Sequence, residues 1–302
     1  MATISEPESA PFPNLAPLFD HPVLEQMELT VDYPNRGSLV AKVRTCNEEV
    51  VARTFRLRRP EGPFWGTLND LFGVNPVHAG ELLPIYSLLA TSSPLRVPRV
   101  RRTADMDDRT WLIVDYLDDG PLASFQELSD AGLLTFGMRL AQIHKRGFTS
   151  LGTVSGTVRF DGSEFPRRLA YVMGSATTRA PGAPMELGRE MRRRAEMLSP
   201  PKAGALVMPD MLPSQFLVRN HRISAVVDLD AYMVGPRELD FSCLELFLDD
   251  RSAELIHRGY GQVLPPPLMR PVRRLYRYFM WLLTVGPNSD LDAHMRQPHL
   301  FP

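Results

Sequence analysis

Between Val207 and Asp228 the chain sets an aspartate, a short apolar strand, a polar turn and a second apolar strand that ends on another aspartate. QFLV and ISAVVD, separated by the turn from Arg219 to Arg222, read as a β-hairpin, since two β-prone runs joined by turn formers satisfy their backbone groups by pairing with each other. That pairing carries Asp210, just before the first strand, and Asp228, at the close of the second, to the same end of the ribbon. Gln215 opens the first strand at that end. A fold that accepts this ribbon must leave two carboxylates and an amide side by side, which is costly in a core and useful at a site.

The rest of the composition narrows the choices. With 302 residues, 44% hydrophobic and 23% charged, the chain can bury one large domain or two lobes sharing a cleft. A formal net charge of -1 supplies no global field towards nucleic acid or an anionic membrane, so neither is expected as a partner. Cys46 and Cys243, far apart in sequence, read as reduced thiols, and no segment has the pattern of a signal peptide or the length to span a bilayer; a cytoplasmic protein is expected. The seven histidines show no zinc-type spacing, and GTVSG at 152 to 156 lacks the third glycine of a dinucleotide fingerprint.

Along the chain, residues 1 to 24 read as an irregular leader in which Leu15, Leu18 and Phe19 are available to pack on the body. LTVDY, SLVAKVRT and EVVARTFRL alternate with period two and form a small antiparallel sheet, the last two joined by a Cys-Asn-Glu turn. Asn75 and Pro76 open a helix that runs to about Ala90 with Pro84 inside it. TWLIVDYL is a buried strand ending in the turn Asp118, Asp119, Gly120, the expected hinge. Ser129 to Gly147 is the clearest helix, with Leu133, Phe136, Leu140 and Ile143 on one stripe. A short helix FPRRLAYVM, a basic helix MELGREMRRRAEML and a helical C-terminal third complete the pattern. The expected division is a leader (1–24), an N-terminal nucleotide-binding lobe (25–117) and a C-terminal catalytic and substrate lobe (118–302).

VMPDMLPSQFLV resembles the catalytic loop of the aminoglycoside phosphotransferases, usually written HGDLHPGNILV, and SAVVDLDAYMVGPRELDF resembles their metal-binding segment, VIDFGDAGVGDPAYDLA. The DYLDDGPL segment is similar to the family's hinge and LAQIHKRGF to the helix that follows. The resemblance, shared with choline kinases, implies an α+β, two-lobed protein-kinase-like fold. It further implies transfer of the terminal phosphoryl group of ATP or GTP, with magnesium, to a hydroxyl on an antibiotic sugar, another small alcohol or a peptide Ser or Thr. By it Asp210 is the catalytic carboxylate, Gln215 and Asp228 hold magnesium, and Asp240 braces the loops. Arg53 stands where the family has its phosphate-binding Lys, with Glu81 as helical partner. Gly37 and Ser38, beside Arg36, are what remains of the Gly-rich turn, Val51 packs on the nucleobase, and the backbone from Asp115 to Leu117 bonds its edge.

The departures define a rival reading. Met208 replaces the family's His, Gln215 its Asn, and Arg53 its Lys, which together describe a catalytically weak or inactive kinase-like scaffold. Retention of both Asp210 and Asp228 favours the enzyme. Singly, each residue has an ordinary explanation: Asp210 as a turn former, Gln215 as a solvated strand residue, Arg53 as a snorkelling side chain, Glu81 as a solvated helix residue, and His144 as a core histidine with one hydrogen bond.

Overall fold

The structure, a computed structural model, describes residues 12–29, 37–287 and 289–302. The chain divides into two compact units: the residues up to Arg58 together with Arg99–Leu117, and Arg59–Pro98 together with Asp118–Pro302. The fold is α+β, with an antiparallel sheet unit and a mainly helical unit.

The first unit is a five-stranded antiparallel sheet in the order β1-β2-β3-β5-β4, with β1 Val23–Glu28, β2 Ser38–Thr45, β3 Glu49–Phe55, β4 Val100–Met106 and β5 Arg109–Asp115. Period-two alternation sends Leu39, Ala41, Val43, Val50, Ala52, Trp111 and Ile113 to one face, where Leu15 and Leu18 complete a sealed cluster. The stretch read as an irregular leader is therefore ordered from Phe12 onward. Gln26 of β1 stitches it down, accepting from the Leu15 amide at 2.9 Å and donating to the Pro13 carbonyl at 2.9 Å. Residues 30–33 of the expected LTVDY strand lie outside the described residues; the strand seen is earlier, at Val23–Glu28. β4 was not foreseen, because its half-buried and exposed residues alternate with no apolar stripe, as befits an edge strand.

In the second unit, α1 (Gly62–Phe72) has Pro63 in its first turn and Gly73 at φ 81° as its cap. α2 spans Ala79–Ser92, three residues later than the Asn-Pro pair suggested, because Asn75 Oδ1 accepts from the Val77 amide in a local turn. Pro84 is tolerated inside α2. This helical segment, expected in the N-terminal lobe, groups with the second unit. α3 (Asp130–His144) is capped by Ser129, whose Oγ accepts from the Gly132 amide at 3.1 Å, and it ends before Gly147. α4 runs Phe165–Arg179, longer than FPRRLAYVM, and is followed by α5 (Met185–Glu196), α6 (Glu238–Leu244), α7 (Asp250–Gly261), α8 (Arg273–Leu282) and α9 (Leu291–Met295).

Short strands thread between these helices: β6 (Gly120–Pro121), β7 (Leu151–Gly152), β8 (Arg159–Phe160), β9 (Ala205–Val207), β10 (Phe216–Arg219), β11 (Arg222–Val226) and β12 (Met233–Gly235). β10 and β11 form the expected hairpin, joined through Asn220 and His221 at φ 53° and 56°, the left-handed pair that a right-twisted two-residue turn requires. Among the described residues no helix is long and apolar enough to cross a membrane.

Candidate active site

The loop between β9 and β10 is held from below by α6. Met208, fully buried, donates its backbone amide to Asp240 Oδ1 at 2.8 Å, and Met211 donates its amide to Cys243 Sγ at 3.3 Å. Asp240 and Cys243 are three apart on one helix, so both face the loop and grip it on either side of Asp210. At the exit of the loop Gln215 Nε2 donates to Asp210 Oδ2 at 2.8 Å, while the Gln215 carbonyl accepts from the Val227 amide at 3.0 Å. Asp228 is the next residue. The ribbon pairing of Phe216 with Val226 thus brings Asp210, Gln215 and Asp228 to one end, as the strand pattern required.

Beneath the loop runs a buried polar chain. Asp240 Oδ2 lies 2.9 Å from His144 Nε2, His144 Nδ1 lies 3.0 Å from the Tyr260 hydroxyl, and Arg237 donates to that hydroxyl at 2.9 Å. Each donor finds one acceptor if Tyr260 donates to Nδ1 and the imidazole carries its proton on Nε2. Burial pushes the Tyr260 hydroxyl up to about 12, which keeps it a donor. Burial, and then the charge of Asp210, pushes the Cys243 thiol well above its usual range, so it holds the loop as a neutral thiol. His144 therefore makes two hydrogen bonds where one was expected, and both serve the loop rather than the core. The far end of α6 is fixed as well: Glu245 accepts from Arg273 Nε at 3.0 Å and Arg277 Nη2 at 2.9 Å, all three side chains being buried.

The remaining candidates fall in both units. In the first, Val51 and Arg53 lie on the sheet face opposite the Leu15 and Leu18 cluster, paired across to Val114 and Leu112. Arg53 is only 5% exposed, which removes the snorkelling alternative. Asp115 spends its amide on the Arg99 carbonyl at 3.0 Å and its carboxylate on Arg101 Nε at 2.7 Å; any backbone contact it offers a ligand is through its carbonyl. Leu117 is half-buried. The Gly37 carbonyl accepts from the Arg56 amide just before β2, and Ser38, paired with Phe55, opens that strand; Arg36 lies outside the described residues. Glu81 is in the first turn of α2, in the second unit, where its carboxylate accepts from the Ser155 hydroxyl.

Sequence reasoning missed Cys243, Ser155 and the partners of His144. The signal for the last was present, since a histidine on the apolar stripe of a helix needs a polar partner once buried. What the stripe could not say was which of the distant residues supplied it.

The profile of the phosphotransferase enzyme family matches residues 42–275. This chain belongs to that family. The match spans both units and takes in β3, α2, the loop bearing Asp210 and the β10–β11 hairpin. Solved structures of similar fold include phosphotransferases. The apoenzyme of macrolide 2'-phosphotransferase MphH from Brachybacterium faecium aligns with a TM-score of 0.57 at 16% identity, over 94% of this chain and 96% of that one. The GDP and kanamycin complex of APH(2")-IIia aligns at 0.62 and 12% identity, over 90% and 88%. A thermostable mutant of the aminoglycoside phosphotransferase APH(4)-Ia, in a ternary complex with AMP-PNP and hygromycin B, aligns at 0.56 and 17% identity, over 92% and 95%. No curated protein matches the chain by sequence. This phosphotransferase family member carries aspartates at 210 and 228, with Met at 208 and Gln at 215.

Proposed function

We propose that the protein transfers the terminal phosphoryl group of ATP or GTP to a hydroxyl acceptor. The observation that carries this reading is the bond from Gln215 Nε2 to Asp210 Oδ2 at 2.8 Å. It supports the enzyme over the scaffold, because the longer amide stem holds the carboxylate in place.

The donor set fits magnesium. With Nε2 committed to Asp210, Gln215 presents Oε1, and Asp228 beside it presents a carboxylate: hard oxygen ligands, as this ion requires. When bound, magnesium neutralises charge on the phosphates. The chain's own part is then positional. Asp210 accepts a hydrogen bond from the acceptor hydroxyl and takes its proton as the new oxygen–phosphorus bond forms and the bond to the bridging oxygen of the nucleoside diphosphate breaks. Arg53 offers a fixed, always charged fork to the phosphates, and the Val51 face a surface for the base. The nucleotides in the solved complexes above support ATP or GTP as donor, and kanamycin and hygromycin B support a sugar hydroxyl as acceptor, with another small alcohol or a peptide Ser or Thr as further members of the test panel.

The test is transfer of label from γ-labelled ATP and GTP, with magnesium, to kanamycin, hygromycin B, a macrolide, simple alcohols and Ser/Thr peptides. One acceptor should be labelled, and Asp210→Asn should lose roughly 10²–10⁴-fold in rate, the usual worth of a general base. Equal labelling by both proteins, or none by either across the panel, would return the protein to the scaffold reading.

A further inference from the structure

The GTVSGT stretch at 152 to 157 has no place in the site so far, yet it is built with care. Gly152 and Gly156 take φ of +128° and +81°, which L side chains rarely adopt, and a Cβ at Gly152 would lie 2.1 Å from the Val158 carbonyl. The turn fastens itself: the Thr153 amide donates to the Val158 carbonyl at 3.0 Å, the Gly156 amide to the Thr153 carbonyl at 3.1 Å, and the Val158 amide to Thr153 Oγ1 at 3.1 Å. What this closed turn displays is the Ser155 hydroxyl. Ser155 Oγ accepts from the Thr157 amide at 3.2 Å and stands 2.9 Å and 3.1 Å from the hydroxyls of Thr153 and Thr157. Its single proton is directed at Glu81 Oε2.

The target of that proton lies beside the proposed metal segment. Asn75, Glu81, Thr153, Val154, Asp230 and Tyr232 line one narrow cleft of the second unit, and Asp230 is two residues beyond Asp228. The turn, the start of α2 and the segment after β11 therefore meet within a single unit. A Glu side chain has three free torsions, and a hydroxyl itself locked by a rigid turn selects one orientation of its carboxylate before any ligand arrives.

We propose that Ser155 is a positioning residue of the nucleotide site, presented by the 152–158 turn to set the Glu81 carboxylate. This rests on the phosphotransferase reading, with Glu81 in the part that the family resemblance implies for it, the helical partner of the phosphate-binding residue. Glu81 then owes its orientation to the helical unit through Ser155, and the affinity for nucleotide depends on a side chain that touches no nucleotide.

The test is a double-mutant cycle on the full chain, reading the dissociation constant of ATP with magnesium by titration calorimetry, and melting temperature in parallel. Ser155→Ala should weaken nucleotide binding about fivefold, the size of one ordinary hydrogen bond, and Ser155→Thr should restore it. In a Glu81→Ala background the same Ser155→Ala change should cost less than twofold, because the oriented group is gone. A full fivefold effect in that background, or a lowered melting temperature with unchanged affinity, overturns the positioning role and leaves the phosphotransferase reading intact. Wild-type protein that binds no nucleotide overturns both, and is told apart by the first titration alone.

Discussion

The sheet face that carries Arg53 and the loop that carries Asp210 are built by opposite means. On the sheet, strand alternation does everything: once Val50 and Ala52 take the buried cluster, Val51 and Arg53 must point the other way, and backbone pairing with β2 and β5 sets their spacing. The loop has no such periodicity. Its backbone amides are held one by one by side chains of α6, and those side chains are held in turn by His144, Tyr260 and the Glu245 ion cluster. A face made by alternation loses one function when one residue changes. A loop made by a buried polar chain loses its shape.

The largest expected effect follows from that difference. Asp240→Ala removes the acceptor of the Met208 amide and leaves the buried His144 Nε2–H without its partner, so it should cost about 2–6 kcal/mol of stability, roughly 1–3 for each orphaned donor. Chemical denaturation measures it, and transfer activity should vanish in the same variant. A loss under about 1 kcal/mol would mean that the loop keeps its shape without α6, and the contrast between the two regions would fail.

The two regions also differ in how far a sequence can disclose them. The strands at 38–45 and 49–55, the hairpin turn, the Ser129 cap and the convergence of Asp210 with Asp228 all follow from local period, turn chemistry or family pattern, because each is fixed by neighbours in the chain. The contacts of His144 with Asp240 and of Ser155 with Glu81 join residues 96 and 74 positions apart. Nothing local distinguishes Ser155 from any other serine in a glycine-flanked turn. α1 went unread although Pro63 and Gly73 mark its ends, because its face packs on α4 and β7, elements whose places depend on the whole unit.

A smaller effect is expected on the sheet. Arg53→Met keeps the stem and removes the charge, so nucleotide should bind about 10–100-fold more weakly, as for loss of a charged hydrogen bond, while the melting temperature falls by less than in Asp240→Ala. Titration of ATP with magnesium into both proteins is the measurement. If Arg53→Met unfolds the protein while binding survives in what remains folded, the arginine belongs to the architecture and the sheet is not the simple display face described above.

The smallest effect concerns the outer end of the β10–β11 ribbon, where surface charges replace the buried chain. Asp119, itself sealed, accepts from Ser224 Oγ at 2.6 Å and pairs with Arg96 at 3.1 Å and with Arg219, whose side chains are about half exposed. Burial alone would raise the Asp119 carboxyl; the bonds from Ser224 and Arg219 and the charge of Arg96 outweigh it and hold the group below its ordinary 3.8. A carboxylate held low in the folded state contributes stability above its unfolded value near 3.9 and loses it as pH falls through the folded value. Asp119→Asn should therefore melt below wild type at pH 7, and the gap should start to narrow near the unfolded value and close as pH falls through the lowered folded value, where the wild-type group takes up its proton. Added salt at pH 7 should narrow the same gap, since Arg96 and Arg219 are open to screening. The Asp240→Ala defect, buried throughout, should hardly respond to salt. A gap for Asp119→Asn that is constant with both pH and salt would place this end of the ribbon under the same buried control as the other, and the distinction between an inner and an outer anchor would go.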